Sequence, residues 1–130
     1  MKKTVRDSYL DALVRQYVRL RSGGYCKRCG KYVGVENLSA AHLFNRWRKT
    51  VRWDLRNVWA ICDNPPRGMK CHMIIDSNPL AKASLMHDIL TPDEITDLEK
   101  LAMLTLKEHP IDKYELKKDL KEKIKLLEDS

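Results

Sequence analysis

Two sets of residues in this chain have the types and spacing to do chemistry. The first is four cysteines. Cys26 and Cys29 stand as Cys-x-x-Cys in YCKRCGKY, a tight turn ending at Gly30, and thiolates so spaced both reach one tetrahedral zinc ion at about 2.3 Å. Cys62 and Cys71 supply the other two ligands, and 32 residues lie between the pairs. Closing that loop on metal contributes on the order of 10 kcal/mol of apparent folding free energy. Eight residues separate Cys62 from Cys71, against roughly two to four in an ordinary knuckle, so the Pro-Pro loop between them has to bulge outward. Plain buried thiols, a redox Cys-x-x-Cys, and a site in which His72 replaces Cys62 or Cys71 are the competing readings. The second set centres on LSAAHLFNRWRK, Leu38 to Lys49, where His42 sits between a small apolar run and a cluster of cations. Taken alone, such a histidine is a half-buried, satisfied residue.

The elements that position these residues follow from periodicity. Val5, Tyr9, Leu13, Tyr17 and Leu20 recur at spacings of three and four, which predicts an amphipathic helix from Thr4 to Arg21 ended by Gly23 and Gly24. Residues 25–62 mix aromatic and β-branched residues with turn formers, and Trp53 to Cys62 alternates like one strand. Asp63 to Lys70 reads as a loop. CHMIID begins a short helix that must stop before Asn78-Pro79, and those two cap and start another through about Ile89. Thr91-Pro-Asp-Glu94 is a capping box for a helix running to Pro110. A last helix from about Asp112 carries Leu116, Leu120, Ile124 and Leu127 as a stripe that must pack on the core or on a second subunit, and so permits a homodimer.

With 130 residues and a mean hydropathy of −0.52, the chain has room for one compact domain. No apolar run approaches the length of a membrane span. Asp7 and Asp11 interrupt what would be the apolar region of a signal peptide, which predicts a cytoplasmic protein. In that reducing setting metal ligation is favoured over disulfides. The net charge of +7 is unevenly spread. Residues 1–60 hold 14 Lys and Arg against 4 Asp and Glu, residues 61–90 hold 3 against 3, and residues 91–130 hold 8 against 11. A basic half points to a polyanionic partner, most often nucleic acid, although a solvated surface accounts for charge alone equally well.

The order Cys-x-x-Cys, His42, Asn57, Cys62, Cys71-His72 resembles the HNH family of ββα-metal nucleases, in which zinc cysteines bracket a catalytic hairpin. The stretches AAHLFNR, RWDLRNVWAIC and CHMIIDSNP are similar to phage-type members, and to recombination proteins of the NinG/Rap type and the junction resolvase endonuclease VII. The resemblance covers about Tyr25 to Pro79. It implies an α+β chain: a basic N-terminal helix (1–24), a zinc-stapled ββα-metal core (25–79) and a helical C-terminal extension (80–130), all in one domain.

The resemblance also implies roles. His42 would be the general base toward water, and Asn57 would hold the hairpin loop and so fix the His42 ring. His72, with Asp76 one turn further on, would hold a catalytic Mg2+ or Mn2+ ion on the scissile phosphate. Arg46, Arg48, Lys49 and Arg52 would grip flanking phosphates. Many family members carry a metal-binding acid immediately before the base histidine, where this chain has Ala41. The implied function is a DNA endonuclease, in a bacterial or phage-infected cell. The alternatives are a non-catalytic zinc protein that binds DNA during recombination, and an interaction module built on the C-terminal helices.

Overall fold

A computed structural model describes residues 4–63 and 70–129. Five helices and one two-stranded antiparallel sheet make up the described part, an α+β arrangement. The first helix, α1 (Asp7–Ser22), starts three residues later than its periodicity predicts, with Asp7 complementing the helix dipole in the first turn. Its buried stripe is Leu10, Leu13, Val14 and Val18. The expected face is therefore rotated, and Tyr9 lies 40 % exposed beneath Lys117 and Lys121. Gly23 ends the helix in the left-handed conformation, φ 66°, where a side chain would be strained.

Strands β1 (Leu38–His42) and β2 (Val58–Cys62) pair from Leu38 opposite Cys62 to His42 opposite Val58. The strand expected over Trp53 to Cys62 is only its second half. Residues 51–57 instead form successive turns, because Asp54 accepts from the Arg56 N–H and guanidinium and because Arg52 and Trp53 reach toward α1. Helix α1 packs on both strands. Arg19 donates to the Leu38 carbonyl at 2.6 Å, and Arg21 donates to the Leu55 and Val58 carbonyls at 3.1 and 2.8 Å.

Two helices follow the sheet, α2 (Cys71–Ser77) and α3 (Pro79–Ile89), the latter capped by Asn78, whose Oδ1 accepts from Leu80 and Ala81 N–H. The Asn64–Met69 part of the expected Pro-Pro loop lies outside the described residues. Helix α4 (Pro92–Ala102) carries the capping box the sequence predicts, with Thr91 and Glu94 bonded reciprocally at 3.2 and 2.9 Å. It stops well before Pro110. Thr105 and Glu108 make a second reciprocal pair, at 3.2 and 2.9 Å, so Thr105 caps a new turn instead of continuing the old helix.

The last helix, α5 (Lys113–Glu128), is capped by Asp112 and packs along α1. Leu120 and Ile124 of its stripe are buried in the chain's own core, with Leu116 against it. One cluster of buried side chains runs from Leu10 through the hairpin to Ile124, so all three expected segments share a core. No described helix is long and apolar enough to cross a membrane.

Candidate functional site

The cysteines converge. The knuckle closes through Cys26 N–H to the Lys31 carbonyl and Gly30 N–H to the Cys26 carbonyl, each 2.9 Å. The end of β2 brings Cys62, and the first turn of α2 brings Cys71. All four Sγ atoms lie within 4.8 Å of one another. Four sulfurs at about 2.3 Å from one ion stand roughly 3.8 Å apart at the tetrahedron's edges, and the Cys29 and Cys62 sulfurs are 3.8 Å apart. The donor set fits zinc. Arg28 donates toward the Cys71 sulfur at 3.5 Å and the Cys29 N–H toward the Cys26 sulfur at 3.4 Å, contacts that favour thiolates. Burial pushes the Cys26 thiol up, and the Cys71 thiol up to about 12, so an ion entering the cluster has to displace protons. His72 is not part of this group, and its two ring nitrogens face Asp76 and Asp63 instead.

Asn57 explains how the long connection between the strands is held. It is fully buried, and its Oδ1 accepts from the Phe44 N–H at 2.6 Å while its Nδ2 donates to the Phe44 and Val51 carbonyls at 3.2 and 3.0 Å. Replacing Asn57 with Ala leaves the Phe44 N–H and carbonyl without their side-chain partner and the Val51 carbonyl with the Asp54 N–H alone. The expected cost is about 3 kcal/mol, read as a lower urea midpoint at unchanged slope.

His42 ends β1. Its Nε2 lies 3.0 Å from the Arg52 carbonyl. A carbonyl only accepts, so Nε2 carries the hydrogen and Nδ1 keeps a lone pair. Burial lowers the pKa of the ring, with Arg46 and Arg52 adding to the effect while the Arg52 carbonyl and Asp11 oppose it. The balance of these contacts favours the neutral ring.

Beside His42 opens a cleft of about 800 Å3 that His72 and Asp76 also line, together with Arg15, Arg19, Arg46 and Lys82. His72 Nε2 stands 3.3 Å from Asp76 Oδ2, so the expected i, i+4 pair does face one way. On the other side of the ring, His72 Nδ1 stands 3.9 Å from Asp63 Oδ2, which also accepts from Ser39 Oγ at 3.0 Å. Ala41 is part of the hydrophobic core, 2 % exposed and paired with Trp59, while Ser39 and Ala40 reach the cleft.

The four cations expected to grip phosphate separate. Arg46 lines the cleft. Arg48 donates to the Ala102 carbonyl at 3.2 Å with its guanidinium over the Trp47 ring. Lys49 pairs with Asp7 at 3.0 Å, and Arg52 is mostly buried against Asp11 and Asp7. Sequence reasoning passed over Arg15, Arg19, Lys82, Asp11 and Asp63. The i, i+4 repeat of Arg15 and Arg19 on the first helix was a readable signal for two of them; nothing local marked the others. No protein-family model, curated protein or solved structure matches the chain.

Proposed function

We propose that this chain is a metal-dependent DNA endonuclease of the HNH type, with a ββα-metal core formed by β1, β2 and α2. The observation that carries the reading is the shared cleft. It sets a histidine with one committed and one bare ring nitrogen beside a His72 and Asp76 pair, within a wall of cations. His42 Nδ1 takes the proton from the attacking water. His72 and Asp76 would hold a Mg2+ or Mn2+ ion, which would supply neutralisation of charge on the scissile phosphate and the departing 3′ oxygen. The products are 5′-phosphate and 3′-hydroxyl ends. Arg15, Arg19, Arg46 and Lys82 hold the backbone to either side, and they position it without reading sequence. The cysteine site holds zinc and keeps β2 and α2 in register.

The second reading, a zinc protein that binds DNA without cutting it, is favoured by one observation: the position of the missing acid, Ala41, is buried in the core. Supercoiled plasmid separates the two. The nuclease nicks it with Mg2+ or Mn2+, stops when EDTA takes up the ion, resumes on its return, and loses activity in His72→Ala. Arg15→Gln and Lys82→Gln each weaken binding across sequences and reduce the salt slope by about one phosphate contact. Salt-sensitive binding without nicking selects the second reading. Neither binding nor nicking rejects both.

A further inference from the structure

Asp11 lines the same cleft as His42, His72 and Asp76, and a carboxylate there invites the role of the acid missing at position 41. Its hydrogen bonds exclude that. Oδ1 accepts from Arg52 Nε at 3.0 Å and Trp53 Nε1 at 2.9 Å, and Oδ2 accepts from an Arg52 terminal nitrogen at 2.6 Å and one of Arg46 at 3.2 Å. An ionised carboxylate offers about four lone-pair sites. All four are in use, which leaves none for a cation. Burial would raise the Asp11 carboxyl, but the bonds from Arg52 and Trp53 outweigh it and hold the group below the usual carboxylate range.

What the clamp fixes is the segment that orients His42. The Arg52 carbonyl receives the His42 Nε2 hydrogen, and the neighbouring Val51 carbonyl is held by Asn57. One side of the segment is therefore tied to the hairpin and the other to α1, which lies outside the motif. A bidentate fork of this kind fixes direction as well as distance. We infer that Asp11 is a positioning residue for His42, acting through Arg52 and Trp53 to set the tautomer and direction of the ring. That role rests on the reading of His42 as a base, but its structural half, the control of the ring, can be tested without any activity.

The test is the ring 15N spectrum of His42 in the zinc-loaded chain, with plasmid nicking alongside. Wild type is expected to show one tautomer, protonated at Nε2. In Asp11→Asn an amide N–H2 meets the Arg52 fork and the clamp opens. The His42 signals should then move toward a mixture of tautomers, and kcat should fall about tenfold or more with KM changed less than twofold. Asp11→Glu, which keeps the acceptor pair, should recover most of the ring signature. The charged groups around the ring that bear on its titration are Asp11, Arg46 and Arg52, with His72 and Asp76 in the same cleft. If Asp11→Asn does not fold, Arg52→Lys is read in its place, since it keeps the charge and gives up the fork. A folded variant with a lower melting temperature but an unchanged His42 spectrum would overturn the inference and make the clamp purely structural. A wild type that shows the tautomer shift on Asp11→Asn yet cuts nothing keeps the positioning role and rejects the nuclease.

Discussion

Cys26→Ser is expected to yield a protein without bound zinc and without a cooperative melting transition, whereas metal analysis of the parent chain is expected to find one zinc ion. Structural zinc contributes on the order of 10 kcal/mol of apparent folding free energy, and a domain of this size is stable by about 5–15 kcal/mol in total. Losing the ion removes most or all of that margin. The geometry explains why the loss is not local. The knuckle follows α1, Cys62 ends β2 and Cys71 begins α2, so an ion bound by the four sulfurs would join three separate pieces of chain. The pH dependence has a definite sign. Burial raises the Cys26 and Cys71 thiols, so both hold protons in the metal-free chain, and acid competes with the ion. Zinc affinity should therefore rise with pH, and release should come on acidification. A metal-free protein with the parent's melting curve would show that the cysteines only pack.

Local chemistry made part of this molecule legible in the sequence. Thr91 with Glu94 and Asn78 with Pro79 mark helix starts because a cap is satisfied within four residues of itself. The cysteine pairs are visible because the Cys-x-x-Cys spacing is itself the turn. Asn57 and His42 were reachable only through the resemblance, since their partners, the Phe44 backbone and the Arg52 carbonyl, are backbone groups that no side-chain pattern announces. Arg52 shows the limit most clearly. In RWRKTVRW it reads as one more exposed cation, yet it is buried against Asp11, 41 residues earlier. Asp7 and Asp11 in turn looked only like charges that spoil a signal peptide. On the folded chain they lie one turn apart on α1, and they hold Lys49, Arg52 and Lys113. The basic first half is thus partly neutralised from within. The cations left facing the cleft are a smaller set, contributed by α1 and α3 as well as by the motif.

His42→Ala should lower the nicking rate by about a hundredfold to ten-thousandfold, the range of a general base, while leaving the fold close to intact. The second half of that expectation comes from the contacts. His42 makes one hydrogen bond, to the Arg52 carbonyl, at the edge of an open cleft where water can replace it, so the loss of stability should be about 1 kcal/mol or less. Asn57→Ala is the opposite case, with a large cost to folding and no group of its own in the cleft, so the pair of variants separates chemistry from scaffold. The pH profile adds a second check. A base must be neutral, and burial of His42 lowers its pKa below the ordinary 6.5. The acidic limb of the rate profile should consequently fall below 6.5, with activity full above it and lost as pH drops through the lowered value. Because Arg46 and Arg52 contribute to that lowering and Asp11 opposes it, Arg46→Gln should move the limb upward. Undiminished cutting by His42→Ala, or a limb above 6.5, would remove His42 from the role of base and leave the shared cleft as a binding site only.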